Sequence, residues 1–122
     1  MTPLAATSLK GRTVLVVEDD YMIAADLACS LEEAGATVVG PMASVPEALA
    51  LLATEPRIDA AVLDVNLGSE KVFPVADVLR ERGVPFVFAT GYDRWIIPET
   101  YAGVRRFEKP ADIRALARVL AG

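Results

Sequence analysis

Few side chains in this sequence can do chemistry, and most of them stand at the ends of apolar runs. Glu18, Asp19 and Asp20 follow Val14–Val17 without a break, Asp64 closes Ala60–Leu63, Thr90 closes Phe86–Ala89, and Lys109 stands just past Phe107. Carboxylates gathered in one place repel one another, so either some take up protons or a cation joins them. The chain has no histidine, which removes imidazole as base, as metal ligand and as phosphoacceptor. Oxygen donors alone suit a hard divalent ion, and few protein ligands with several waters suit Mg2+ (or Mn2+). Taken singly, each residue has a plainer reading. Asp20 fits a helix cap, Thr90 a strand former, Asn66 a turn residue and Lys109 a solvated surface lysine. A shared site requires that they converge.

Convergence depends on the elements that carry them. Thr13–Val17 reads as a short buried strand. Asp20 caps a helix with Ile23, Leu27, Leu31 and Ala34 at helical spacing, and Gly35 stops it. Cys29 falls on the same apolar stripe and is expected in the core. Thr37–Gly40 is a second strand. Ser44-Val45-Pro46-Glu47 has the form of a capping box and opens a helix that runs through Ala53. Asp59–Leu63 is the third strand, followed by a polar loop with Gly68 and a helix over Val72–Arg82. Pro85–Ala89 is the fourth strand, Val104–Phe107 a short fifth, and Ala111–Leu120 the last helix. Between the fourth and fifth strands lies GYDRWIIPETYAG, with Pro98 in the middle, so the fourth helix is expected to be short or irregular. Alternating strands and helices imply an α/β fold, a doubly wound parallel sheet of flavodoxin-like (βα)5 topology with strand order 2-1-3-4-5. In such a sheet the functional crevice lies at the carboxyl ends of the strands, where Glu18, Asp19, Asp64, Thr90 and Lys109 all fall.

The totals narrow the class. With 122 residues, 53% of them hydrophobic, the chain suits one domain with a real core. Residues 1–11 read as a flexible N-terminal tail and 12–122 as the domain. A net charge of −5 argues against a nucleic-acid partner, because phosphate backbones are held by clustered Lys and Arg. No apolar run is long enough to cross a bilayer. A single cysteine excludes an internal disulfide and fits a reducing, cytoplasmic setting.

VLVVEDD, AAVLDVNLG, FVFATGY and FEKP, in this order and at these strand ends, resemble the signature blocks of response-regulator receiver domains in two-component signalling. The resemblance covers Gly11 to Gly122. Phe88-Ala89-Thr90-Gly91-Tyr92 is similar to the FAT GUY branch, whose members often act as single-domain regulators near HWE-type histidine kinases. The resemblance implies that Asp64 is the phosphoacceptor. Asp19 would ligate Mg2+ directly, Glu18 chiefly through water, and Asn66 through its backbone carbonyl. Thr90 would be the switch hydroxyl, Lys109 the phosphoryl partner, and the bond before Pro110 would be cis. The implied partners are a sensor histidine kinase or histidine phosphotransfer protein, which supplies the phosphoryl group, and a downstream protein target. The chain would be a monomer or weak dimer, and no enzyme beyond its own phosphorylation and dephosphorylation. The physics of the residues agrees, since the oxygens of a transferred phosphoryl group need a metal ion, an ammonium, a hydroxyl and N–H groups to hold them.

Two other functions compete. A Mg2+-dependent phosphohydrolase with an Asp nucleophile would need a cap over its substrate, for which this chain has no evident segment. A non-phosphorylated docking module would not need the complete acid, Thr and Lys set. One departure from the receiver pattern stands out. The aromatic residue usual three positions before the lysine is here Arg106. The switching motion is therefore expected in Arg106 or in Asp93–Gly103. That segment also holds Trp95 and Tyr101, which either pack over the missing helix or form a partner surface. Tyr92, two residues after Thr90, is expected to slow phosphoaspartate hydrolysis.

Overall fold

The apolar runs become strands, and strand alternation divides the core in two. The computed structural model describes residues 9–54, 57–91, 97–109 and 112–121. The chain runs β1 (Thr13–Val17), α1 (Tyr21–Glu33), β2 (Thr37–Met42), α2 (Val45–Thr54), β3 (Ala60–Asp64), β4 (Asn66–Leu67), β5 (Glu70–Lys71), α3 (Phe73–Glu81), β6 (Phe86–Thr90), a 3-10 turn (Glu99–Tyr101), β7 (Arg106–Glu108) and α4 (Ile113–Leu120). Five strands form one parallel sheet in the order β2-β1-β3-β6-β7. Renumbered without the small β4–β5 hairpin, this is the expected 2-1-3-4-5.

Side chains alternate across a strand, so each strand feeds both faces. Leu15, Val17, Ala61, Leu63 and Phe88 join Ala48 and Leu52 of α2 and Val75, Ala76 and Leu79 of α3 in one apolar cluster. Val14, Val16, Ala60, Val62, Val87 and Ala89 join Leu31 of α1 and Leu116, Ala117 and Leu120 of α4 in the other. β3, at the centre, is buried along its whole length, as expected of a strand covered on both faces.

Several expectations are corrected. Leu9 is fully buried, its N–H donates to the Ala34 carbonyl at 2.9 Å, and its carbonyl accepts from the Arg12 N–H at 2.9 Å. The folded body thus reaches back into the supposed tail, and Leu9, Lys10 and Gly11 belong to it. Gly35 shows why this turn needs a glycine. Its φ is +102°, and a Cβ there would stand 2.9 Å from the Lys10 backbone nitrogen. Cys29 is exposed rather than buried. At about 100° per residue, the stripe that includes Leu31 runs through Ala24, while Cys29 falls on the far side. Ile23 is likewise left on the surface. The polar loop after β3 is an ordered hairpin. β2 extends to Met42 through a cis Gly40–Pro41 bond.

Among the described residues, the connection from β6 to β7 contains the 3-10 turn and no full helix. From Ile97 onward it is packed rather than loose. Ile97 and Tyr101 belong to the α2/α3 core, with Val104 against it. Tyr101 is 4% exposed, so it is a core residue and not part of a partner surface. Tyr92 and Trp95, and the expected cis bond at Pro110, lie outside the described residues.

Candidate functional site

The residues singled out by type meet at the carboxyl ends of β1, β3, β6 and β7. Glu18 follows β1 and is fixed by its own backbone, whose N–H donates to the Met42 carbonyl at 2.9 Å. Asp20 is the N-cap of α1, with Oδ1 accepting from the N–H groups of Met22 at 3.0 Å and Ile23 at 3.1 Å. The acidic triplet therefore divides its work. Asp20 starts a helix, which leaves Glu18 and Asp19 to the pocket. Asp64 ends β3 and pairs with Ala89 of β6. Thr90 ends β6 and pairs with Glu108 of β7, and the Lys109 N–H donates to the Thr90 carbonyl at 2.9 Å.

Lys109 holds the pocket together. Its Nζ lies 2.8 Å from Glu18 Oε1 and 2.9 Å from Asp64 Oδ2. Each acid uses its other oxygen on the backbone: Glu18 Oε2 accepts from the Asp20 N–H at 3.1 Å, and Asp64 Oδ1 accepts from the Asn66 N–H at 3.2 Å. Glu18 and Asp64 are almost completely buried. Burial, followed by the hydrogen bond with Glu18, pushes the Asp64 pKa up to about 7 against the opposing pull of Lys109. Burial works against the Lys109 charge, but the hydrogen bonds to Glu18 and Asp64 outweigh it and hold its pKa above the ordinary value.

Two features show that the pocket suits additional ligands. Carboxylate oxygens of Glu18, Asp19 and Asp64 lie within 4.8 Å of one another, an all-oxygen set that fits a hard divalent cation. The Thr90 hydroxyl is buried and has no hydrogen-bond partner among the described residues, which is costly unless something comes to meet it. Asp19 is exposed at the mouth and Asn66 is half-buried. Arg106 is exposed on β7, opposite Phe88 of β6.

Sequence reasoning missed the β4–β5 hairpin, which flanks the pocket. Gly68 and Ser69 form its two-residue turn, with Gly68 at φ +67°. Lys71 Nζ donates to Asn66 Oδ1 at 2.5 Å across the hairpin, and Glu70 Oε1 accepts from the Val45 N–H at the start of α2 at 3.0 Å. The signal was legible: Gly-Ser between two short segments is a hairpin sequence. Tyr101 also gained a role that spacing did not reveal. Its hydroxyl donates to Asp77 Oδ1 and its ring stacks on Phe73 at 5.2 Å.

No family model matches the chain. The solution structure of SdrG from Sphingomonas melonis Fr1 is similar at 40% identity, with a TM-score of 0.79 over 94% of this chain and 96% of SdrG. The BeF3-activated conformation of SdrG is similar at 41% identity and a TM-score of 0.72, over 89% and 92% of the two chains. A response regulator receiver protein from Sinorhizobium medicae shares the fold, with a TM-score of 0.77 at 24% identity over 93% and 94% of the chains. The phyllosphere-induced regulator PhyR of Methylorubrum extorquens is 29% identical over 109 residues, covering 84% of this chain. The chain spans about two fifths of the length of that curated relative, 41%. Parallel-sheet order, strand-end residues and likeness to SdrG over nearly the whole of both chains agree, and the chain belongs to the response-regulator receiver family.

Proposed function

We propose that this chain is a phosphoacceptor in two-component or phosphorelay signalling, taking a phosphoryl group from a phosphohistidine on a sensor histidine kinase or phosphotransfer protein onto Asp64. The observation that carries the reading is the Lys109 ammonium, shared between Glu18 and Asp64 at the strand ends where the buried Thr90 hydroxyl has no partner among the described residues. A carboxylate becomes a useful nucleophile when it is positioned. Asp64 is positioned at both oxygens, by Lys109 and by the Asn66 N–H.

Glu18, Asp19 and Asp64, with the backbone carbonyl of Asn66, would hold Mg2+ (or Mn2+). When bound, the ion supplies charge neutralisation for the carboxylates and for the phosphoryl oxygens. The remaining work falls to the chain itself. Lys109 offers an ammonium to an equatorial phosphoryl oxygen, and Thr90 offers its hydroxyl to another. Phosphorylation adds about −1.5 to −2 charge on a hydroxyl side chain, and a comparable increment on Asp64 offers an acceptor to the Thr90 hydroxyl, which has none among the described residues. That draws the ends of β6 and β7 toward Asp64 and changes the surface offered to a downstream protein. The existence of a BeF3-activated conformation of SdrG supports this route, since a fluoroberyllate stands in for the phosphoryl group.

The test is to incubate the protein with Mg2+ and acetyl phosphate or phosphoramidate and weigh it intact. A single base-labile phosphoryl adduct, absent in Asp64→Asn, is expected. Repeated release of phosphate over many turnovers would favour a phosphohydrolase. No adduct and no release, with folding intact, would favour a docking module.

A further inference from the structure

We propose that Glu70 is a positioning residue for the divalent-cation site, acting through the first turn of α2. This rests on the reading of Glu18, Asp19 and Asp64 as a cation site, and it links that site to a helix that supplies none of its ligands.

The acids and the hairpin reach the pocket by separate routes. Glu18 and Asp19 follow β1, whereas Asn66 stands on the β4–β5 hairpin beyond the end of β3. The parallel ladder aligns β1 with β3 only as far as Val17 and Leu63, so the hairpin needs supports of its own. Leu67 and Val72 root it in the α2/α3 core, and the Val72 N–H donates to the Val65 carbonyl at 3.1 Å. Nearer the tip, Glu70 is the register partner of Leu67 across the Gly68-Ser69 turn, and its Oε1 accepts from the Val45 N–H at 3.0 Å. A Cβ on Gly68 would lie 3.8 Å from Asp19 Oδ2, so the turn that Glu70 braces abuts one of the carboxylates.

The first turn of α2 leaves one donor for Glu70. The opening N–H groups of a helix have no partner within it. Pro46 has no N–H to offer. The Glu47 N–H donates to Ser44 Oγ at 3.3 Å, and Glu47 Oε1 accepts from the Ala43 N–H at 2.9 Å. An N-cap side chain serves the second or third position of a helix rather than the first. The Val45 N–H therefore falls to Glu70, a carboxylate at the positive end of the helix. The same turn holds the other side of the pocket. β2 carries one extra residue between Val39 and Met42, a bulge at which Gly40 has φ +101° and a Cβ would stand 2.7 Å from the Val16 carbonyl oxygen. Beyond the bulge, the Met42 carbonyl accepts from the Glu18 N–H at 2.9 Å. Met42–Val45 is thus a bridge, tied to the acidic pair at one end and to the hairpin at the other. With Glu70 in place, both sides of the pocket are held before an ion arrives, which lowers the ordering cost of binding.

The test is Mg2+ binding to the unphosphorylated protein, measured by calorimetry with amide NMR spectra recorded alongside. Glu70→Ala is expected to weaken Mg2+ binding about tenfold, the size of one hydrogen bond to a charged group. Glu70→Gln keeps an acceptor oxygen without the charge and is expected to recover most of that loss. In wild type and Glu70→Gln, the Val45 amide resonance should move as Mg2+ is added. In Glu70→Ala it should stay still while that of Asn66 moves. An unchanged Mg2+ affinity in Glu70→Ala overturns the proposal. Equal weakening in Glu70→Ala and Glu70→Gln does so too, since Glu70 would then act on the ion as a distant charge. If Glu70→Ala does not fold, the Val45 amide of wild type and Glu70→Gln decides, and a resonance unmoved by Mg2+ counts against the bridge. A wild-type protein that binds no Mg2+ overturns the cation-site reading and this inference together, whereas bound Mg2+ with Val45 unmoved overturns this inference alone.

Discussion

The Asp64 pocket and the Tyr101 pocket are both built against β6, yet they treat their polar groups in opposite ways. At the end of the strand, one ammonium serves two buried carboxylates and the Thr90 hydroxyl has no partner among the described residues. Beside the middle of the strand, the Tyr101 ring meets Phe88 edge-on at 5.7 Å and Phe73 face-on at 5.2 Å. Its hydroxyl donates to Asp77, and the Arg80 guanidinium lies 4.2 Å from the ring centroid. Arg80 also donates to the Thr100 carbonyl at 3.0 Å. Among the described residues, the first pocket leaves a buried hydroxyl without a partner, while the hydroxyl of the second is met by Asp77. A polar cluster with unmet needs can respond to a bound charge, while a satisfied one fixes the frame against which the response occurs. Tyr101 is held on three sides, by Phe73, Asp77 and Arg80 of α3. It anchors the segment in which motion was expected.

The largest effect that distinguishes the two pockets is expected from Lys109→Met. With its ammonium gone, the pocket keeps two buried carboxylates and loses its donor to the phosphoryl group. Phosphoryl uptake from acetyl phosphate should fall by about 10²–10³-fold, the usual loss for one such donor, measured as the initial rate of adduct formation. A rate within a fewfold of wild type would mean that Lys109 is a structural counter-ion and that the pocket is not built for transfer.

Metal addition should show the next effect, and it depends on pH. The Asp64 pKa in the fold, about 7, lies above the ordinary 3.8. A raised carboxyl pKa means that the folded state binds the proton more tightly than the unfolded state. The contribution to stability is then full below about pH 4 and is lost as pH rises through 7. Without metal, the protein should lose stability across that window. A cation bound by Glu18, Asp19 and Asp64 restores it, and at a hundred times its dissociation constant is worth about 2.7 kcal/mol. Below pH 7 the ion must displace the Asp64 proton. The rise in Tm on adding Mg2+ should therefore be larger at pH 8 than at pH 6. An equal rise at both would separate the metal site from Asp64.

Legibility in the sequence divides along the same line. Strand ends were readable because a run such as Ala60–Leu63 must be buried and Asp64 must not follow it inward without a partner. The sheet order followed from alternation alone, and the convergence of Glu18, Asp64, Thr90 and Lys109 followed from the sheet. Features set by tertiary register were not readable. The sequence puts Cys29 in the core because α1 is apolar on several sides and does not single out one stripe. A lone leucine carries no periodicity, so the sequence leaves Leu9 in a tail, whereas its burial and its hydrogen bond to Ala34 hold it in the fold. The sequence leaves Tyr101 between core and surface because its partners, Phe73, Asp77 and Arg80, come from α3. The Asn66–Lys71 pair was hidden for a different reason. Both residues fall in a stretch that reads as loop, although Gly68-Ser69 between them carries the turn.

The smallest effect should come from the satisfied pocket. Tyr101→Phe keeps the ring and its contacts with Phe73 and Phe88 and removes the hydroxyl that meets Asp77. The loss should be about 1 kcal/mol of stability, read from denaturant melts, with the rate of phosphoryl uptake unchanged. A second signature follows from the Tyr101 pKa, pushed up to about 12 by burial and then by the Asp77 carboxylate, with Arg80 opposing. The fold binds the phenolic proton more tightly than the unfolded chain does. Its contribution is thus intact below about pH 10 and falls as pH rises from 10 toward 12. Wild type should lose stability in that interval more steeply than Tyr101→Phe. If instead Tyr101→Phe slowed phosphoryl uptake or altered the Mg2+ response, the two pockets would be coupled through β6. Tyr101 would then be part of the switch rather than its fixed reference.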